Sequence, residues 1–340
     1  MLLDAKPKSQ PIERLKTISG ICPAVFTLYT DATCRQIDYA AQRLHYRKLL
    51  KHELGALVIG CHAGEIGALT AEERATLIGI AKEEAQGRVP VIDGIVADST
   101  SEAIRRGKEA VDAGADGVLF TSPSIPGWRT EVRFLLEHYG AFEDAVGIPI
   151  ILFGSPSDRY GQQFAITPEA AAALVKSVQS VIGMKITAQW DIGGFVRIAR
   201  AMKEVRDVGC LKAGGQAQFA HYAYGCDGSL SGGSNFSTAD DIAVRRLVMD
   251  GKMQEAQTLS DSWMPVYDAI YGTQVGLPVV YFHYRYKIAA WLSGVIDQPW
   301  MRRPQLAPPL EDILVLRDAL VRAGKPMVRE VKESFPVAAI

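Results

Sequence analysis

Ser180-Val181-Ile182-Gly183-Met184-Lys185 is an apolar run that ends on a lysine, and its surroundings decide how the chain is read. Similar short runs rich in Val and Ile recur on both sides of it. They predict strands at about Ile18–Thr27, Ala56–Gly60, Val89–Gly94, Gly117–Thr121, Ile148–Phe153, Ser180–Lys185, Val208–Lys212 and Gly228–Leu230. The runs are continuous rather than alternating, which fits strands covered on both faces of a parallel sheet. Helix-like stretches separate them. Thr70-Ala71-Glu72-Glu73 has the form of a capping box, with Thr70 as the N-cap. Thr167-Pro168-Glu169 puts proline at a first helical position. Ala113-Gly114-Ala115-Asp116-Gly117 stops one helix and feeds a strand. Eight strand–helix units predict an α/β fold, a (β/α)8 TIM barrel of roughly 250 residues, with a C-terminal helical extension. The weak eighth strand leaves a doubly wound sheet as the rival on pattern alone.

The predicted division is an N-terminal extension over 1–17, a barrel core over 18–236, and the final barrel helix with a helical region over 237–340. Helices are expected at Asp240–Asp250, Met253–Tyr271, Pro278–Leu292 and Leu310–Ala323. The proline-rich stretch Gln298–Pro309 reads as an extended connection.

Composition narrows the function. A net charge of −1 gives no reason to expect nucleic acid or an anionic membrane surface as partner. No run of about 18 apolar residues predicts a membrane span, and residues 1–11 lack the apolar centre of a signal peptide. Five scattered cysteines form no C-x-x-C pair, which predicts free thiols in a reducing cytosol. No carboxylate–histidine grouping has metal-ligand spacing, and the G-x-x-x-x-G-K-[ST] and G-x-G-x-x-G patterns are absent. Neither a metal nor an organic cofactor is expected.

In such a barrel the chemistry sits where strands end. Lys185 closes strand 6, where its amine either attacks a carbonyl carbon or reaches to solvent as an ordinary lysine. Strand 2 ends in Gly60-Cys61-His62-Ala63-Gly64-Glu65, a turn that either offers N–H groups to a carboxylate or only reverses the chain. His62 is placed to donate a hydrogen bond or move a proton. Strand 5 ends in Phe153-Gly154-Ser155-Pro156, followed by Asp158, Arg159 and Tyr160, and Arg159 reads equally as a carboxylate partner or a solvated loop residue. Strand 8 leads into Leu230-Ser231-Gly232-Gly233-Ser234-Asn235, which reads as an anion or phosphate loop. His45, His52 and His138 are expected on helix surfaces, and His283 between helices or at a subunit contact.

These landmarks, in this order, resemble the dihydrodipicolinate synthase and N-acetylneuraminate lyase family of class I aldolases. The likeness rests on Gly20-Ile21-Cys22-Pro23-Ala24-Val25-Phe26-Thr27, His62-Ala63-Gly64-Glu65, Leu69-Thr70-Ala71-Glu72-Glu73-Arg74 and Arg88-Val89-Pro90-Val91-Ile92. It continues through Ala113-Gly114-Ala115-Asp116-Gly117-Val118, Pro123, Gly147-Ile148-Pro149-Ile150-Ile151-Leu152 and Gly183-Met184-Lys185. The resemblance implies a homotetramer and a Schiff base between Lys185 and pyruvate or a related 2-oxo acid, beside which a carbon–carbon bond forms or breaks. An aldehyde is the implied second substrate. The family's carboxylate-binding turn maps onto His62 and Ala63, where it commonly carries two hydroxyl residues, and its strand 8 backbone contact maps near Leu230. With Lys185, Phe153 and His62 as the catalytic positions, Ala63, Gly64, Ser155, Arg159, Leu230 and Ser231 complete the expected site.

Two departures stand out. The family's proton-relaying tyrosine at the end of strand 5 is here Phe153, and the second tyrosine is missing after Pro123, where Ser124, Ile125 and Pro126 follow. His62, Ser155, Tyr160 or a bound water is then left to move protons. Loss of the hydroxyl, with Trp128 and Trp190 expected near the mouth, favours a bulkier or aromatic acceptor. Two alternatives stay open: a Schiff-base dehydratase or deaminase, and a non-catalytic barrel that only binds a 2-oxo acid.

Overall fold

The computed structural model describes residues 15–123, 131–157, 165–188, 190–272 and 275–331. Its eight strands are β1 (Gly20–Pro23), β2 (Leu57–Ile59), β3 (Val91–Ile95), β4 (Gly117–Thr121), β5 (Ile150–Gly154), β6 (Val181–Ile186), β7 (Gly209–Lys212) and β8 (Gly228–Ser231). All pair in parallel in the order β1-β8-β7-β6-β5-β4-β3-β2. Just past β1, Ala24 bridges Val58, and the Val25 N–H donates to the Val58 carbonyl at 2.9 Å, which brings the two edges together. The result is a (β/α)8 barrel, as the strand count predicts, and the doubly wound sheet is excluded.

Among the described residues seven α-helices cross between strands: α1 (Tyr39–Leu49), α2 (Ala71–Ala85), α3 (Thr100–Asp112), α4 (Val132–Val146), α5 (Pro168–Ser177), α6 (Ile192–Lys203) and α7 (Gln218–Ala223). The local signals act as read. Thr70 accepts from the Glu73 N–H while Glu73 accepts from the Thr70 N–H, so two otherwise unpaired donors are satisfied reciprocally. Thr167 caps α5 with Pro168 in its first turn.

After β8 come α8 (Thr238–Met249), α9 (Met253–Ser262), α10 (Met264–Tyr271), α11 (Phe282–Leu292) and α12 (Leu310–Arg322). The single helix expected over Met253–Tyr271 is two, broken at Trp263. Pro265, in the first turn of α10, lacks the N–H that a continuous helix would need. The helix expected from Pro278 begins as a short 3-10 turn, and α11 proper starts at Phe282.

Side-chain alternation in β4, β5 and β7 sorts the core into two layers. Leu119, Ile151, Phe153 and Leu211 pack together in one, while Val118, Phe120, Ile150, Leu152 and Cys210 pack toward the surrounding helices in the other. Strand β6 breaks this alternation. Its pairing to β5 steps from Ile150↔Val181 to Ile151↔Gly183, so Ile182 is an extra residue, a β-bulge. The bulge shifts the parity of everything after it. Met184 and Ile186 face the helices, and Lys185 pairs with Phe153 on one side and Leu211 on the other, on the barrel's inner face. A bulge at this point therefore aims the lysine inward. Without it, the same lysine would point into the helical layer.

Among the described residues no helix is long and apolar enough to cross a membrane.

Candidate active site

At the C-terminal ends of the strands lies a cavity of about 210 Å³. Lys185 rises into it from β6 and is only 7% exposed. Its Nζ sits 4.0 Å from the centroid of the Phe153 ring and donates to Cys61 Sγ at 3.5 Å. Among the described residues no carboxylate lies within ion-pair distance of this amine.

The opposite wall is the turn after β2. Gly60 takes φ +61°, a left-handed conformation that glycine adopts freely. Cys61 follows, then the 3-10 turn His62–Gly64. Gly64 is needed for space: a Cβ there would stand 2.5 Å from the Val25 carbonyl oxygen. Glu65 ends the turn at φ +63°, unusual for a residue with a side chain. Buried contacts hold it there. Glu65 accepts from Lys287 Nζ at 2.9 Å, from the Tyr29 hydroxyl at 3.1 Å and from the Arg302 N–H at 2.6 Å. Lys287 lies on α11, so the C-terminal helical region fastens the turn.

Burial pushes the Cys61 thiol up. The Lys185 ammonium and the neighbouring His62 pull it down by more, and it settles at about 6. At the other four cysteines burial outweighs the nearby cations and raises the thiols to between about 11 and about 12. His62 meets Phe153 edge-on at 5.3 Å and stacks on His283 at 6.0 Å. Burial, then the positive fields of His62 and Lys185, pushes His283 well below the ordinary histidine range. Beside them, the Tyr271 and Tyr286 hydroxyls are 2.8 Å apart, Tyr271 stacks on Phe282 at 5.3 Å, and Trp190 meets Tyr271 edge-on at 5.1 Å.

Six of the expected site residues line this one cavity: Lys185, Phe153, His62, Ala63, Leu230 and Ser231. Gly64 lies behind the turn, with its carbonyl accepting from Thr27 at 2.8 Å. Ser155 is fully buried, and its hydroxyl accepts from the Ser157 N–H at 3.3 Å, away from the cavity wall. Arg159, with Asp158, Tyr160 and Trp128, lies outside the described residues.

Several expectations need correction. The β8 loop is no phosphate cradle: Ser234 donates to the buried Asp241 at 2.6 Å, Ser237 donates to the same carboxylate at 2.9 Å, and Asn235 donates to the Ala24 and Gly232 carbonyls. His45 and His138 are buried rather than superficial, bonded at 2.8 Å to Asn235 Oδ1 and Thr100 Oγ1 respectively. His283 stands at the cavity, brought there by α11. Cys61, Tyr271 and Tyr286 were missed as site residues. Cys61 was readable, since it sits inside the quoted turn. The tyrosines were not, because they come from helices whose packing against the barrel leaves no motif. Lys212 on β7 is a second buried lysine, and burial lowers it to about 8. Its Nζ is tied to the Gly214 carbonyl and does not reach the cavity.

A sequence model of the dihydrodipicolinate synthetase family matches residues 17–320. The chain belongs to that family. It is a carbon–carbon lyase of the aldolase type. The chain is 31% identical over 272 residues to a 4-hydroxy-tetrahydrodipicolinate synthase from Persephonella marina, covering 78% of this chain and 87% of the relative. It is 28% identical over 280 residues to a probable 2-dehydro-3-deoxy-D-pentonate aldolase from Escherichia coli, covering 78% and 90%. Among solved structures, a monomeric dihydrodipicolinate synthase variant superposes with a TM-score of 0.81 at 22% identity, covering 92% of this chain and 99% of that one. Dihydrodipicolinate synthase from Thermotoga maritima gives 0.79 at 23% identity, covering 91% and 99%. Both structural likenesses speak to the fold.

Proposed function

We propose that Lys185 forms a Schiff base with pyruvate or a related 2-oxo acid, and that the iminium then draws electrons from an adjacent carbon–carbon bond as that bond breaks or forms. The observation that carries this is an enclosed amine at the end of β6, aimed into a cavity and facing a thiol and an aromatic ring instead of a carboxylate. That placement leaves the nitrogen beside the space where a carbonyl carbon would enter, with no carboxylate bonded to it among the described residues.

The substrate carboxylate fits between the β2 turn and β8. The Ala63 N–H has no acceptor among the described residues, and Gly232 approaches Ala63 so closely that a Cβ on it would stand 3.1 Å from the Ala63 Cβ. Ser231 lines the same edge. His62 stands where it can exchange a proton with the substrate beyond Phe153. The aromatic wall of Tyr271, Phe282 and Tyr286, backed by Trp190 against Tyr271, supports an acceptor aldehyde with apolar bulk. Assembly as a homotetramer belongs to this reading and is checked by light scattering, where a mass near four chains is expected.

The functional test is exchange of the C3 protons of 2-oxo acids in deuterated buffer, followed by NMR. An enamine at Lys185 makes the wild-type protein exchange them and Lys185→Ala inert. Absence of exchange across pyruvate and its homologues, or exchange that survives in Lys185→Ala, refutes the reading.

A further inference from the structure

We propose that Cys61 is a catalytic acid–base residue, acting directly on the Lys185 amine and on the hydroxyl that leaves as the imine forms. This inference rests on the Schiff-base reading above and adds the group that moves its protons.

Three observations converge on it. Cys61 Sγ is the one hydrogen-bond acceptor of Lys185 Nζ among the described residues, at 3.5 Å. The other neighbour of Nζ, Phe153, offers a ring face with no exchangeable proton, at the position where the family resemblance implies a hydroxyl. Both Cys61 and Lys185 are more than nine-tenths buried and line the same cavity, so bulk water does not do the work unaided. The charged and titratable groups facing the thiol are Lys185 from β6 and His62 from the turn itself, with His283 of α11 stacked behind His62. No carboxylate among them competes for the lysine proton. A thiol held at about 6 is ionised at neutral pH, which sets a thiolate 3.5 Å from the Lys185 nitrogen.

The protons balance. The Cys61 thiolate takes one proton from the Lys185 ammonium, leaving a neutral amine and a thiol. The amine attacks C2 of the 2-oxo acid, and one proton passes from nitrogen to the former carbonyl oxygen, giving a neutral carbinolamine. The thiol then protonates that hydroxyl, the C–O bond breaks, water departs and the nitrogen lone pair completes the C=N bond. The products are the iminium, one water and the regenerated thiolate, with net charge unchanged. Release by hydrolysis runs the same steps backwards.

The test compares wild type, Cys61→Ser and Cys61→Ala by rapid-mix borohydride trapping with pyruvate, reading the rate at which Lys185 acquires the reduced adduct. Wild type should show an acid limb near pH 6. Both variants should lose that limb and slow by about a hundredfold, the usual scale for a positioned acid–base group, yet label Lys185 fully at long times. Full labelling shows that fold and amine survive the substitution. In parallel, iodoacetamide should alkylate Cys61 selectively with a midpoint near pH 6, and Lys185→Met should move that midpoint upward by removing the cation. Variants that trap at the wild-type rate with an unchanged pH profile overturn the proposal. So does an alkylation midpoint that ignores Lys185→Met. Absence of any adduct in wild type instead removes the Schiff-base reading beneath it, and is seen without the variants.

Discussion

Lys287→Met tests how the C-terminal helices hold the site. In the folded chain Lys287 is fully buried and bonds Glu65, which is nearly as buried. Removing one partner of such a pair costs about 3–5 kcal/mol, because the other is left charged in a poorly solvating interior. Glu65 keeps two donors, the Tyr29 hydroxyl and the Arg302 N–H. The loss should therefore fall near the lower end, about 3 kcal/mol. At roughly 2 °C per kcal/mol for a chain of this size, the melting midpoint should fall by about 6 °C. Glu65 also holds the left-handed end of the turn that carries His62 and Ala63, so KM should rise in the same variant at temperatures where it is folded. Glu65→Gln in the Lys287→Met background removes the stranded charge and should recover about 2 kcal/mol. Calorimetry and urea unfolding of wild type, both single variants and the double give the coupling directly. Single losses that simply add in the double variant, or a Lys287→Met protein as stable as wild type, would refute the claim that this pair fastens the turn.

Two further outcomes are expected. His45 is held at about 4 by burial against the usual 6.5, so the unfolded chain binds its proton in that window and the folded chain does not. Stability should fall as pH drops from 6.5 toward 4, and in His45→Gln that slope, read from urea midpoints, should be shallower by about 1 kcal/mol per pH unit; His138 and His221, lowered the same way, maintain the rest. An unchanged slope would contradict the assignment. Gly64→Ala sets a Cβ against the Val25 carbonyl and must displace the turn, so kcat/KM should drop at least about tenfold while far-UV circular dichroism is retained; wild-type kinetics would show that the turn's position is not critical.

Much of the barrel was legible because its signals are local. Continuous Val/Ile runs, a capping box at Thr70 and a proline at Pro168 each report on a few neighbouring residues, and all eight strands lie where those runs fall. Lys185 stood out because a charge at the end of an apolar run is costly to place unless the strand end opens onto a site. What was not legible depends on distant packing. The bulge at Ile182 has no marker in the run that contains it, yet it decides which way Lys185 faces. The tyrosine pair and His283 reach the cavity through α10 and α11, whose docking angle no periodicity encodes. His45 looked superficial because its helix carries charges around it, but its partner Asn235 lies 190 residues away.

The account stands on one covalent bond. Incubation of the wild-type chain with pyruvate and borohydride, followed by peptide mass spectrometry, should find the reduced adduct on Lys185 alone, and none in Lys185→Ala. An adduct that maps to Lys212 or to surface lysines, or a wild-type chain that stays unmodified with every 2-oxo acid offered, would contradict it.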